Sequence, residues 1–167
     1  LGAFTNGMVA GEDAIDFAKE IDFAEYDEAD VNAEKERVLA PTRREDGIPP
    51  NQLEYKTRRL VNDYLQPPKV TRKMQLAQDR FAETRDDMEQ SMVVTNAHEL
   101  MRSLEVASIM DCADMAAHAS LFRTESRWGL YHNRADFPER DNENWFCHSL
   151  LSKDANGGMS IEKKAVE

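Results

Sequence analysis

Three stretches between residues 51 and 122 repeat apolar residues at helical spacing and are separated by segments that break a helix. This pattern limits the fold more than any other feature of the chain. Residues 51–66 carry Leu53, Thr57, Leu60 and Tyr64 on one face, widened by Val61 and Leu65. The Pro67-Pro68 pair then removes two backbone donors and ends the segment. Residues 71–90 carry Met74, Ala77, Phe81 and Met88, with Lys73, Gln78, Asp79, Glu83, Arg85 and Asp86 between them as a solvated face. Residues 96–122 open with Asn96 as N-cap and Glu99 three positions on, a capping-box arrangement. The early stripe there is Ala97, Leu100, Met101, Leu104 and Ala107. It broadens around Val106, Ile109, Met110, Ala113, Ala116 and Ala117, which predicts a helix enclosed by neighbours on most sides. Three such segments joined by two turns predict an antiparallel, spectrin-repeat-like three-helix bundle. The methionines read as adaptable core filler.

Helical periodicity weakens on both sides of the bundle. Residues 1–46 form an N-terminal segment. Its glycine-bearing start, with Asn6 as N-cap, leads into a short helix that uses Ala14, Ile15, Phe17, Ala18 and Ile21. Thr5, Asn6 and Gly7 read as a loop suited to a cofactor phosphate, although Gly7 and Gly11 complete no phosphate-binding fingerprint. Residues 22–36 are strongly acidic and read as a solvated helix or loop, with Pro41 stopping any helix that begins near Asp30. Gly47, Pro49 and Pro50 mark a boundary, so the bundle is expected over residues 47–126. Residues 127–167 form an irregular arm. In it Trp145, Cys147 and Ser149 alternate with Phe146, His148 and Leu150, as in a short strand with two partly covered faces. Asp154, Asn156, Gly157 and Gly158 give the strongest turn signal of the chain, and a second strand at residues 159–162 completes a β-hairpin. The expected class is mainly α.

Lys and Arg number 21 against 32 Asp and Glu, a formal charge of -11, which argues against a nonspecific nucleic-acid surface. No apolar run reaches the length of a membrane span, and two widely spaced cysteines, Cys112 and Cys147, make no disulfide framework. The cytoplasm is the expected compartment. The chain opens on LGAFTNGMVAGEDA without an initiator methionine, which predicts a piece of a longer polypeptide.

Residues 123–145, RTESRWGLYHNRADFPERDNENW, pack charge, aromatic rings and turn residues too densely for an ordinary linker. Arginines beside carboxylates and rings make bidentate and cation–π contacts that fix a loop without regular structure. A structural or interface motif is therefore expected from Arg123, Glu125, Arg127, Trp128, Tyr131, His132, Arg134, Asp136, Asp141 and Trp145. Glu125 with Arg127, and Arg134 with Asp136, read as charge pairs. If the chain meets an anion, Arg127, His132 and Arg134 are the chosen set. His98 reads as a neutral capping or surface residue in the first turn of a helix. His118, among alanines, reads as a hydrogen-bonded core position. No CxxC, HExxH or facial-triad spacing supports a metal site, which would need His118, His132, Cys147 or His148 to converge. Adjacent Cys147 and His148 would point to opposite sides of a strand, so they make no catalytic dyad.

The run from Asn96 to Trp145 resembles the C-terminal helical region of the flavoprotein subunits of the fumarate reductase and succinate dehydrogenase superfamily. The form it is most similar to is that of adenylylsulfate reductase alpha subunits and their fumarate-reductase-like relatives. In that family a helix ends in R-x-E-[ST]-R, followed by aromatic and histidine residues, R-x-D-[FY]-P and D-[DN]-x-N-W. The matching positions are Arg123, Glu125, Ser126, Arg127, Tyr131, His132, Arg134, Asp136, Phe137, Pro138, Asp141, Asn142, Asn144 and Trp145. Succinate dehydrogenase relatives usually place Gly where this chain has Trp128, which resembles the adenylylsulfate reductase side. Ser126 and the run from Gly129 to His132 look closer to the fumarate-reductase-like relatives.

The resemblance runs from about Gly47 to the hairpin. It implies FAD in the parent protein, with none expected bound to this chain alone. The opening helix would be the tail of an FAD-binding domain, although FTNGMVAGEDA departs from the family's glycine- and serine-rich approach to the flavin. Electron transfer to or from a small carboxylate or an adenylylated sulfate would belong to the FAD-binding and capping domains. Those domains and an iron–sulfur subunit are the implied partners, a homo-oligomer being compatible with the sequence. The implied role is a noncatalytic helical domain of an oxidoreductase, with no catalytic residue of its own. It predicts bundle faces that stay apolar after the three helices pack. A second reading is a free-standing interaction or dimerisation module that uses the alanine-rich face of residues 106–117. A third, a complete small enzyme built on His132 and arginines, lacks a visible nucleophile or general base.

Overall fold

The computed structural model describes residues 2–23, 25–154 and 158–166. The chain divides into two compact units, residues 1–37 and 38–167. In the first, helix α1 spans Gly2–Glu20 and buries none of its residues. The helix begins ahead of Asn6, so Asn6 is no cap, and Thr5, Asn6 and Gly7 lie in helical turns where a phosphate-binding loop was expected. Gly7 and Gly11 each cost about 1 kcal/mol against Ala. Ala3, Met8, Ala10, Ala14 and Ala18 are strong helix formers and carry the helix across them. Helix α2, Glu28–Leu39, starts where the Ala29 N–H donates to Asp27 Oδ1 at 2.8 Å. It ends in a 3₁₀ turn, Ala40–Arg43, that holds Pro41.

The second unit is a bundle of α3 (Pro50–Tyr64), α4 (Thr71–Ser91) and α5 (Ala97–Phe122). Short connections at residues 65–70 and 92–96 make successive helices antiparallel. Leu53, Met74, Ala77, Phe81, Met88, Val106, Met110, Ala113 and Ala117 fill the space between them. Thr57 and Thr84 are also fully buried, their hydroxyls donating to the Leu53 and Arg80 carbonyls one turn back. At the N-terminus of α5 the Glu99 N–H donates to Asn96 Oδ1 at 3.0 Å, and Glu99 Oε2 accepts from the Thr95 N–H and hydroxyl.

Helix α5 differs from the expected enclosed rod. Its buried residues form one stripe, Ser103, Val106, Met110, Ala113, Ala117 and Ser120. Met101, Leu104, Cys112, Met115 and Ala116 are exposed. A three-helix bundle covers each helix on one side only, so the extra apolar residues face outward.

A short helix, α6 (Asn142–Trp145), precedes the hairpin of β1 (Cys147–Lys153) and β2 (Met159–Ala165). Their antiparallel register runs from Cys147 opposite Ala165 to Lys153 opposite Met159. Trp145 belongs to the helical turn, not to the strand, and its ring meets Phe122 edge-on at 5.3 Å. Cys147, Ser149 and Leu151 are half-buried while His148, Leu150 and Ser152 are exposed, so one face is covered instead of two. A two-stranded hairpin against a single helix has nothing to cover its other side. Asp154 and Gly158 close the turn with paired bonds of 2.8 Å, whereas Asn156 and Gly157 lie outside the described residues.

Candidate functional site

The arm beyond α5 is organised around two guanidinium–carboxylate centres. In the first, Glu125 is fully buried and accepts from Arg123 Nη1 at 2.5 Å and from Arg127 Nε at 2.6 Å. Its second oxygen accepts from Arg127 Nη2 at 3.0 Å and from the Asp141 N–H at 2.9 Å. Burial pushes this carboxyl upward, but the hydrogen bonds from Arg127, the Asp141 N–H and Arg123 outweigh it and hold the pKa at about 2. Arg123 also donates to the Trp145 and Cys147 carbonyls at 2.9 and 2.6 Å, with its guanidinium 5.2 Å from the Trp145 ring centre. The end of α5, α6 and the first residue of β1 are thereby tied to one buried charge. Lys163 of β2 adds a cation 3.5 Å from the same ring.

The second centre joins two helix ends. Arg134 is fully buried, with Nη1 donating to the Ser120 and Arg123 carbonyls at 2.7 and 3.0 Å, at the C-terminus of α5. Nε and Nη2 hold both oxygens of Asp136 at 2.8 and 2.9 Å. Asp136 in turn accepts from the Thr71 N–H at 2.8 Å and from the Thr71 hydroxyl, at the N-terminus of α4. The cation thus lies at the negative end of one helix dipole and the anion at the positive end of another. The Arg134 guanidinium chiefly holds the Asp136 carboxyl well below the ordinary range, against the effect of burial and with Thr71 assisting. A short backbone pairing, Lys69 N–H to Asn133 carbonyl and Ala135 N–H to Lys69 carbonyl, holds the arm beside α4.

Between the centres the chain turns back through residues 128–131, closed by the Arg127 N–H donating to the His132 carbonyl at 2.8 Å. Trp128 and Gly129 adopt left-handed φ values of 66° and 58°. His132 Nε2 lies 3.2 Å from the Arg123 carbonyl and donates to it. Burial lowers the His132 pKa, and the neighbouring cations Lys69, Arg134 and Arg123 add to this against the hydrogen bond, so the ring is neutral near pH 7. Trp128, Leu130 and Tyr131 project into solvent, 77–83% exposed.

The ten motif residues therefore separate by role. Arg123, Glu125, Arg127, His132, Arg134, Asp136, Asp141 and Trp145 are joined by hydrogen bonds and ring contacts, while Trp128 and Tyr131 stand outside that network. The set proposed for an anion, Arg127, His132 and Arg134, does not hold together, because Arg134 is enclosed and its donors are engaged by Asp136, Thr71 and two carbonyls. Sequence reasoning missed Thr71, Ser120, Ser126 and Lys69 as partners. Ser126 donates to the Phe137 carbonyl and accepts from the Arg134 N–H, both at 2.8 Å, and Lys69 Nζ donates to Ser120 Oγ at 2.7 Å. Only Ser126 carried a signal, its place in the R-x-E-S-R run.

Among the described residues no group of three His, Cys, Asp or Glu is placed to hold a metal. His118 is half-exposed and bonds to Asp114 one turn back, so it is a peripheral residue and not a core one. Gly7 and Gly11 form no cradle for a flavin, since a Cβ at either meets nothing within 4 Å. Among the described residues, no helix is long and apolar enough to cross a membrane.

Residues 55–167 match the family described as fumarate reductase flavoprotein C-term. The chain is 32% identical over 98 residues to the fumarate reductase flavoprotein subunit of Haemophilus influenzae, covering 56% of this chain and 16% of that protein. It is 34% identical over 68 residues to the succinate dehydrogenase flavoprotein subunit of Rickettsia conorii, covering 41% and 11%. Among solved structures, adenylylsulfate reductase from Archaeoglobus fulgidus superposes with a TM-score of 0.89 at 26% identity, over 99% of this chain and 29% of that one. Quinol fumarate reductase of E. coli shares the fold, with a TM-score of 0.70 at 21% identity over 86% of this chain and 26% of that one. The chain spans less than a third of the length of these relatives.

Proposed function

Because this chain belongs to the fumarate reductase flavoprotein C-terminal family, we propose that it serves as the helical support domain of an FAD-dependent oxidoreductase. In this reading the flavin, the substrate site and the electron-transfer chemistry lie in polypeptide beyond these 167 residues. The bundle braces the flavin domain, and the arm presents a fixed surface to neighbouring subunits, an iron–sulfur protein among them. The cytoplasm suits the two free cysteines. The observation that carries the reading is the use made of the charged motif. Glu125, Arg134 and Asp136 are engaged in fastening the arm to the ends of α4 and α5, and the arginines keep both Glu125 and Asp136 ionised, so neither is poised as acid or base near neutral pH. The outward apolar residues of α5, Met101, Leu104 and Met115, fit a bundle made to lie against further protein.

The test is a hybrid in which residues 55–167 replace the matched segment of the Haemophilus influenzae fumarate reductase flavoprotein subunit. The purified hybrid is expected to retain FAD, read by its visible absorbance, and to reduce fumarate. A folded hybrid that binds no flavin would overturn the support role, as would stoichiometric flavin uptake by the 167-residue chain alone.

A further inference from the structure

Beneath the Trp128 turn lies a cavity of about 480 Å³, bounded by the end of α5, the start of the hairpin and the arm. The chain as a whole has a formal charge of -11, yet among the described residues no carboxylate lines this cavity, whereas Arg123, Arg127 and Arg140 do. Trp128 and Trp145 supply aromatic wall. The polar groups are not all satisfied from within. Arg127 uses Nε and Nη2 on Glu125 and Asn142, and no described residue accepts from its Nη1. The exposed guanidinium of Arg140 has no partner among the described residues. Ser149 Oγ is buried and likewise has none. Glu125 lies between Arg123 and Arg127, Asp141 also acts on Arg127, and Arg140 adds a further cation to the wall.

We propose that this cavity receives an acidic segment of a partner polypeptide, a side-chain carboxylate meeting Arg127 and Arg140 between the two tryptophans. The proposal rests on the support-domain reading above and names the chemistry of one of its contacts. Arginine forks suit carboxylates bidentately, and a cavity of this size lies within the usual range for ligand sites. The rim indicates a polypeptide over a small free acid. Trp128 and Phe146, which line the cavity, are strongly exposed, as are Leu130 and Tyr131 in the turn that Trp128 begins, and exposed aromatic rings of this kind are enriched at protein interfaces. Trp128 also holds a left-handed backbone that a bulky residue rarely adopts, and Gly129 beside it shows that glycine serves this turn. A tryptophan kept at such a position is accounted for by what its ring contacts, since it packs against little in this chain.

Trp128 and Trp145 are the only tryptophans of the chain, so its intrinsic fluorescence reports directly on the cavity. The full chain is titrated with the peptide acetyl-Leu-Glu-Asp-Glu-Phe-amide, with its Gln/Asn counterpart, and with sodium succinate. The acidic peptide is expected to change the emission saturably, and the neutral one to bind at least about tenfold more weakly. Arg140→Gln is expected to weaken the acidic peptide by about tenfold or more with an unchanged circular dichroism spectrum. Trp128→Gly should weaken it as well without loss of fold, read by the remaining Trp145 signal and by calorimetry. Equal binding of both peptides, indifference to Arg140→Gln, or no saturable change up to about 1 mM overturns the proposal. Succinate binding as tightly as the peptide overturns the polypeptide occupant. None of these results alters flavin retention by the hybrid, so the two readings fail separately.

Discussion

Glu125 stays ionised inside the protein because four donors reach its two oxygens, and removing it strands two arginines at the end of α5. Glu125→Ala is expected to cost about 3–5 kcal/mol, read by urea unfolding, since breaking a buried pair leaves an uncompensated charge. The carboxyl titrates at about 2 when folded against an ordinary value of 4.5, so the unfolded chain binds more protons between those values. The stabilisation is fully present above pH 4.5 and is lost as pH falls toward 2. Asp136 adds loss in the same direction. Unfolding measured at pH 6 and pH 3 should therefore show a steep acid decline that Glu125→Gln makes shallower, while an unchanged slope would mean that Glu125 is not the group responsible. Trp128 behaves oppositely. Relaxing its left-handed backbone with Trp128→Gly is expected to raise stability by about 0.5–1 kcal/mol, and a loss would show that the ring supports the fold. Part of this was legible in the sequence. Glu125 and Arg127 are two residues apart, as are Arg134 and Asp136, so local spacing exposes each pair. Thr71 lies 65 positions from Asp136, and nothing short of the folded chain brings them together.

The helices were readable because proline, asparagine and apolar spacing agree. Pro50 begins α3, Asn96 caps α5, and four of the five buried residues of α4 are those the period selects, Met74, Ala77, Phe81 and Met88, the fifth being Thr84. The faces were harder to read. Ala113 and Ala117 are buried whereas Ala116 is exposed, and composition alone cannot say which side of an alanine-rich helix meets a neighbour. The opening helix is longer than its glycines suggest, because strong formers surround Gly7 and Gly11 and carry it from Gly2 to Glu20. Gly47 is the glycine that the fold requires. Its φ is 153°, and a Cβ there would fall 2.1 Å from the Ser91 carbonyl oxygen. The close approach lets the Ile48 N–H donate to that carbonyl at 2.8 Å and the Val93 N–H to the Ile48 carbonyl at 3.1 Å. These bonds join the segment before α3 to the end of α4. Gly47→Ala must move backbone, so a loss of at least about 2 kcal/mol is expected from thermal unfolding, whereas an unchanged Tm would mean the approach is not needed.

At the scale of the molecule, the two units contribute unequally to stability. Residues 38–167 contain the buried cluster from Leu53 to Ala117 and both charge centres. Helix α1 buries nothing, and Phe4, Met8, Ile15 and Phe17 remain exposed along it. A helix of 19 residues without a packed face is marginal in water, so its apolar side adds little to folding and favours association. Deleting residues 1–37 is therefore expected to shift Tm by no more than about 2–4 °C, the change that 1 kcal/mol makes in a domain of this size. The same deletion should reduce concentration-dependent self-association, measured by sedimentation at two or three loadings. A large fall in Tm would mean that α1 is part of the stable core after all. Unchanged association would place the adhesive surface on the outward residues of α5 instead, and Met101→Gln with Met115→Gln in the shortened chain would then be expected to abolish it.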